Sequence, residues 1–252
     1  MSTPPPAPGG TVDLEGARRA LDRGAAVVLP NPAPLTCVLT ATTPTAVNEA
    51  KGRPGEQPVA VWAHSPGAVG SLAPFLDLGA PDTDVLRRLL TDELLTVLVP
   101  LTSAPRPPEW LRPAVKDGWA LLFGARWLPL RPLLDRFPLL YVSSANRTGC
   151  PPVADAAAAM AVFPAGTAVL GAIASTRETG TPNELRRGNT PPARSSGAGR
   201  PFGTGGTGQA PPRAATTTVR LYRGGRLALH RHGAQDRSHA DAAAYLATLA
   251  EG

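Results

Sequence analysis

An α/β layered domain on a mixed sheet is what this 252-residue sequence predicts. Short apolar runs of strand length, such as Val59–His64 and Leu94–Leu101, alternate with helical stretches. The intervals do not keep the strict strand–helix–strand period of a doubly wound parallel sheet, so some antiparallel pairs are expected. A hydrophobic fraction of 42% over this length suffices for a substantial core.

Taken in order, residues 1–10 are rich in Pro and Gly and predict a disordered N-terminus. Asp13 is placed to cap a helix carrying Leu14, Ala17 and Leu21 on one face, stopped by Gly24. Ala25–Pro30 reads as a buried strand, Pro44–Ala50 as a short helix, and Val59–His64 as the next strand. Asp84–Leu90 is helical, Leu94–Leu101 is a strand, and the proline-rich stretch Ser103–Pro113 is a loop. Trp119–Gly124 is a strand, Leu128–Arg136 a helix, and Pro138–Ser143 a strand ending in a cluster of small polar residues. Ala154–Phe163 is an alanine-rich helix and Ala168–Ala174 a strand, completing a core over 11–174. Residues 175–214 are Gly, Pro, Ser, Thr and Arg with almost nothing apolar, and read as a low-complexity basic insertion. Thr217–Tyr222 and Leu227–His230, joined through Gly224-Gly225, read as a β-hairpin that completes the core over 215–235. A C-terminal helix, His239–Ala250, occupies 236–252.

The net charge of +6 is local. Residues 1–174 balance, with 14 basic and 14 acidic side chains, whereas 175–214 hold six Arg against two Glu. The insertion is therefore a candidate RNA contact, with a solvated low-complexity loop as the alternative. No apolar run approaches the roughly eighteen residues of a membrane span, and the N-terminus lacks the basic-then-apolar pattern of a secretory signal. Two cysteines, Cys37 and Cys150, make no disulfide framework or zinc motif. A cytoplasmic protein with no membrane partner is expected.

Two short segments carry chemistry. The run Phe137–Gly149 ends an apolar strand in Ser143, Ser144, Ala145, Asn146, Arg147, Thr148 and Gly149. Hydroxyls, an amide and a glycine beyond a strand end offer donors and close backbone approach to an anion; a self-bonded turn is the alternative. Lys51-Gly52-Arg53-Pro54 sets two cations at a helix end, suited to a polyphosphate or carboxylate, or simply to the negative end of the helix dipole. His64, at a strand end, is a candidate ligand contact or a structural histidine. His230 and His232 alternate on a strand and should share a face, but no third residue has metal-ligand spacing, so no metal site is expected. No Walker A loop or dinucleotide fingerprint occurs, so an ATP site here is of another kind.

Together these segments resemble the nucleotide-binding signatures of the YrdC-type family, the threonylcarbamoyl-AMP synthases. The resemblance covers about residues 14–175 and 215–234 and follows order as well as motif. Lys51-Gly52-Arg53-Pro54 resembles the family's Lys-x-Arg element, Leu95-Thr96 its Leu-Thr strand, and Ser144-Ala145-Asn146 its Ser-x-Asn motif. Thr217-Thr218-Val219 resembles the late Ser-Thr-Val strand, and Arg231-His232-Gly233 the Arg-Pro-Gly near the domain end. The resemblance implies a twisted mixed parallel/antiparallel sheet with helices packed around one large, mostly positive central cavity. It implies ATP, bicarbonate and L-threonine as substrates, with Mg²⁺ arriving on the nucleotide, and threonylcarbamoyl-adenylate for the t6A modification of tRNA as product. Carried over by position, Lys51 and Arg53 are the catalytic pair, while Ser143, Ser144, Asn146, Thr218 and Arg231 bind the nucleotide.

The amino-acid side departs from the family. Its Pro-Thr-Asp/Glu-Thr-x-Tyr-Gly-Leu motif stands here as Pro30-Asn31-Pro32-Ala33-Pro34-Leu35-Thr36-Cys37. Both threonines, the acid, the tyrosine and the glycine are gone. The Trp-Pro-Gly before the Leu-Thr strand stands as Thr91-Asp92-Glu93, and Phe123-Gly124-Ala125 replaces an Arg-x-Pro strand end, with Arg126 a displaced substitute. Asn31, Thr36 and His64 are left to form an acceptor pocket. The resemblance therefore points to a carbamoyl- or acyl-adenylate enzyme acting on another small amine or amino acid, with specialised metabolism as its expected setting. Ordinary threonylcarbamoyl-AMP synthesis and a non-catalytic nucleotide- or RNA-binding relative are the alternatives.

Overall fold

The computed structural model describes residues 10–124, 127–171 and 212–251. The disordered N-terminus predicted over 1–10 lies outside these residues except for Gly10. Most of the basic insertion, from 175 to 211, and the proposed substitute Arg126 also lie outside them.

The chain opens with α1 (Leu14–Asp22), whose first turn is capped by the Asp13 carboxylate accepting from the Gly16 N–H at 2.7 Å. Gly24, at φ 75°, reverses the chain into β1 (Val27–Leu29). There follow β2 (Val38–Ala41), α2 (Pro44–Lys51), β3 (Ala60–Trp62), α3 (Pro66–Leu72), α4 (Ala80–Thr91) and β4 (Thr96–Pro100). Next come β5 (Val115–Lys116), β6 (Trp119–Phe123), α5 (Arg131–Leu134), β7 (Tyr141–Ser144), α6 (Ala156–Val162) and β8 (Ala168–Val169). The chain closes with β9 (Thr218–Leu221), β10 (Leu227–Arg231) and α7 (Ala242–Glu251).

Among the described residues these strands form one ten-stranded sheet in the order β10-β9-β4-β6-β3-β7-β2-β1-β8, with β5 beside β6. Three pairs, β9/β4, β6/β3 and β1/β8, are parallel, and the others are antiparallel. The mixed α/β sheet expected from the sequence is what forms.

Three elements go beyond the sequence reading. β2 begins directly after the segment Pro30–Cys37 and is buried at all four residues, so it shows no alternation. β5 has only two residues. α3 contains Gly67 and Gly70, each costing a helix roughly 1 kcal/mol. Ser65 caps it and Val69 and Leu72 are buried beneath it, which offsets that cost. Leu128–Arg136, predicted as one helix, is a 3₁₀ turn followed by the single α-turn of α5, since Pro129 and Pro132 break the hydrogen-bond ladder.

The two faces of the sheet are covered unequally. On one, α2, α3, α4, α6 and α7 bury Val47, Val69, Leu86, Leu89, Ala159, Tyr245 and Leu249 against the inward residues of nearly every strand. On the other, α1 and α5 bury Ala17, Leu21, Leu133 and Leu134 over Val27, Leu29, Val38, Trp62 and Val142. That second layer ends near Phe123. Beyond it the same face continues across Leu121 and Trp119 of β6, Leu98 of β4 and Arg220 of β9, none of them fully buried. This half-covered face is where a cleft forms.

Gly124 ends β6 against the last turn of α4. A Cβ there would lie 2.3 Å from the Leu90 carbonyl oxygen, a backbone atom that cannot turn aside. Gly124→Ala is expected to destabilise the fold by about 1–3 kcal/mol, read as a lowered urea midpoint at unchanged slope.

Candidate functional site

The site is built where the end of α2 meets the end of β7. Gly52 caps α2 in the left-handed region at φ 65°, the conformation that glycine accepts without steric cost. This turn folds the chain back so that Lys51 and Arg53 lie on either side of it. Thr148, beyond β7, binds the Lys51 carbonyl through its backbone N–H at 3.1 Å and its hydroxyl at 3.2 Å. The two signature segments, far apart in sequence, are therefore joined through their backbones.

Their side chains are joined as well. Lys51 is 4% exposed, and its ammonium donates to the Ser144 carbonyl at 2.6 Å, the Asn146 carbonyl at 2.9 Å and Asn146 Oδ1 at 2.6 Å. Asn146 Oδ1 also accepts from the Ser144 hydroxyl at 2.7 Å, and Asn146 Nδ2 donates to the carbonyls of Arg147 and Cys150. Three oxygens match the three N–H bonds of a charged ammonium. Burial, with Arg53 beside it, acts in the other direction and pulls the Lys51 pKa down to about 7. Burial also lowers that of Arg53. Both cations are thus held in a place that disfavours their charge, and an anion there would relieve both.

The cleft holds about 370 Å³. Lys51, Arg53, Ser143, Ser144, Asn146, Thr218 and Arg231 all line it, and so do Asn31 and Thr36 of the acceptor segment. Arg231 reaches it through a β-bulge. The register of β10 shifts between Leu229 and Arg231, which sets Arg231 opposite Thr218. His230 also lines this cleft, whereas His232 pairs with Asp236 at 2.6 Å beside a separate hollow, so the two histidines do not share a site. That hollow, of about 320 Å³, centres on a carboxylate already bonded by Thr217, Gly233 and His232.

His64 is the site residue that the structure places elsewhere. It is buried in the core edge-on to Trp62, its ring nitrogen 3.0 Å from the Phe137 carbonyl. It does not line the cleft, and a structural histidine is the correct description. The acceptor segment is instead shaped by residues counted with the insertion on composition. Arg213 donates to the carbonyls of Asn31 at 3.0 Å and Leu35 at 2.9 Å, while Thr36 N–H and Ala214 N–H bond the carbonyls of Ala214 and Pro34. Arg213 and Ala214 therefore belong to the folded core.

Sequence reading gave no site role to Gln57, Thr96 or Thr216, which also line the cleft. The hydroxyls of Thr96 and Thr216 meet at 2.6 Å. The Leu-Thr strand and the Thr-Thr-Val strand carried the signal for these two; Gln57 carried none. Cys37 lines the cleft too, but burial pushes its thiol up to about 11, so it is a protonated thiol and no nucleophile. No Asp or Glu is among the described residues lining the cleft.

No protein-family model matches the sequence, and no curated protein matches it. Solved structures do match by fold. Two structures of Sua5 from P. abyssi, one complexed with L-threonine, are 15% and 17% identical with TM-scores of 0.56 and 0.51. The match covers 87% and 82% of this chain but only 53% and 50% of theirs, so the chain spans about half the length of Sua5. Full-length HypF in a phosphate- and nucleotide-bound form is 14% identical with a TM-score of 0.57, over 90% of this chain and 30% of HypF. YciO of E. coli is 11% identical with a TM-score of 0.53, over 87% of this chain and 88% of YciO. At these identities the likeness is one of architecture: the chain has the YrdC-type α/β fold that these proteins share.

Proposed function

We propose that the cleft binds ATP or an acyl- or carbamoyl-adenylate, and that the protein transfers this activated group to a small amine or amino acid other than threonine. The observation that carries this reading is the convergence of Lys51, Arg53, Ser144, Asn146, Thr218 and Arg231 on one cleft without a carboxylate. Such a lining attracts a polyanion and supplies donors where charge develops on phosphoryl oxygens. A solved HypF that shares this fold over part of its length is phosphate- and nucleotide-bound, and a Sua5 is complexed with L-threonine; both support a nucleotide and an amine-bearing acceptor as ligand classes. Chemistry here would rest on positioning and charge neutralisation, with Mg²⁺ carried in on the nucleotide and bicarbonate as the one-carbon co-substrate.

Roles follow from the geometry. All three N–H bonds of Lys51 are taken, so in this state it acts by its charge and by fixing the Ser144–Asn146 turn. Arg53 and Arg231 face the cleft as donors to phosphate or carboxylate. Asn31 and Thr36, at the end where the family motif is lost, contact the acceptor.

A second reading, nucleic-acid binding, is favoured by one further observation. On the uncovered sheet face next to the cleft, the Arg220 guanidinium lies 5.3 Å over the Trp119 ring and Arg226 lies 3.6 Å over Tyr222. The two rings meet edge-on at 5.1 Å. Arginines interleaved with aromatics suit stacked, single-stranded bases.

Pyrophosphate release from ATP, with bicarbonate and Mg²⁺, is expected with an amine or amino acid other than threonine, and is expected to fall by about a hundredfold or more in Asn146→Ala. Release with threonine alone would restore the family reaction. Absence of release with every acceptor would favour the binding-module reading. RNA affinity that drops steeply with salt and is weakened by Trp119→Ala would establish that reading.

The pH dependence has a definite sign. A Lys51 pKa near 7 lies below the ordinary lysine value, so between the two the unfolded chain holds the extra proton and stability rises with pH. Anion binding favours the protonated ammonium, so its affinity runs the other way. The dissociation constant for MgATP, measured by titration calorimetry, is expected to rise by up to about tenfold per pH unit above 7 and to flatten in Lys51→Met.

A further inference from the structure

The Lys-x-Arg segment depends on a residue that no motif marks. Asn48 lies on α2, three positions before Lys51, and is fully buried. Its Nδ2 donates to the carbonyls of Gly55 at 2.7 Å and Gln57 at 2.9 Å, and its Oδ1 accepts from Arg53 Nε at 2.6 Å. Two carbonyl acceptors and one N–H donor surround it, so only a primary amide satisfies all three, and only in this orientation. An apolar residue would leave these groups without their bonds to the side chain, and a carboxylate would face two carbonyl oxygens.

The consequence falls on Arg53. Its Nε is held by Asn48, and Nη2 on the same edge reaches the Pro58 carbonyl at 3.4 Å. That edge of the guanidinium is committed to the protein. Arg53 lines the cleft, so what it presents there is the opposite, end-on pair of Nη groups. Two parallel N–H bonds in that geometry match the two oxygens of a phosphate or carboxylate. The free Arg side chain is rich in rotamers, and the amide removes much of that freedom before the ligand arrives.

We propose that Asn48 is a positioning residue that fixes Arg53 end-on to the anion in the cleft. It also holds the 55–57 loop that carries Gln57, another lining residue, to the end of the same helix. This rests on the reading of the cleft as an anion site, and the test separates the two.

The experiment pairs MgATP titration calorimetry with NMR of the Arg53 Nε–H resonance in the full chain. In the wild type that resonance is expected to be protected from exchange without ligand, and in Asn48→Ala to be lost while the fold melts cooperatively. Asn48→Ala is expected to weaken MgATP by about tenfold, and to have no further effect when added to Arg53→Ala. Weakening that adds fully on top of Arg53→Ala would overturn the inference, as would an unprotected Nε–H in the wild type. Should Asn48→Ala not fold, Asn48→Asp serves: it keeps an acceptor for Nε, so protection is expected to persist while its added negative charge weakens MgATP; unchanged affinity with lost protection overturns the proposal. A wild type that binds no MgATP would instead refute the anion reading of the cleft, and the Nε–H resonance would still judge the position of Arg53.

Discussion

One buried ammonium ties this site together. Lys51 ends a helix on one face of the sheet, yet its nitrogen is bonded to the carbonyls that follow β7 in the middle of the sheet. The Ser144 carbonyl also accepts from the Asn146 N–H, and a side chain with three N–H donors can bond it, the Asn146 carbonyl and Asn146 Oδ1 at once. Without it the Asn146 carbonyl and amide oxygens would lose this donor, leaving the turn to the Asn146 N–H bond to the Ser144 carbonyl and the Ser144 hydroxyl bond to Asn146 Oδ1. The same contact brings Arg53 and Thr148 to either side of the turn. Local structure, burial and the site's polarity thus follow from one interaction that spans almost a hundred residues of sequence.

The second constraint is the short covering layer. Helices α1 and α5 are too few to cover ten strands, and a strand face left open must be polar or occupied. Here it is both. Close to the covered half the open face is lined with threonines, serines and arginines around the cleft. Farther out it carries Trp119 and Tyr222 beneath the guanidinium groups of Arg220 and Arg226. The bulge in β10 belongs to the same design, since a regular strand would have set His230, and not Arg231, opposite Thr218.

Much of this was legible in the sequence, and the rest failed for identifiable reasons. Helices with caps and strands with long apolar runs were readable because local propensity and burial agree there, as at Asp13 and at Leu94–Leu101. β2 was hidden because a strand buried on both faces has no period, and α3 because its glycines argue against the helix that tertiary burial enforces. The cleft residues were found through their motifs, which fix residue type and order. His64 was misplaced because a strand end says nothing about which way its last side chain turns; it turns inward to Trp62 and the Phe137 carbonyl. Asn48 was invisible because a polar residue inside a short helix ordinarily reads as solvent-facing, and only the fold shows the three partners it satisfies. Arg213 was masked by its neighbours' composition.

These features together give the cleft an electrostatic logic. Lys51 and Arg53 are neighbours, partly or fully buried, and each is held where burial works against its charge. In the ligand-free fold that is a standing cost, borne because Asn48 and the β7 turn over-determine their positions. On the proposed reading an anion would convert that cost into affinity, by supplying the opposite charge in a place where water screens weakly. The acceptor end has no such surplus. Asn31 and Thr36 are neutral, and Arg213 beside them is already spent on two carbonyls. A second substrate at that end would therefore be chosen by shape and hydrogen bonding, while the first is chosen by charge. On the proposed reading, change in the Pro30–Cys37 segment would alter the acceptor without disturbing the anion site, because Asn31 and Thr36 are held through Arg213 and Ala214 and the two cations through Asn48 and the β7 turn.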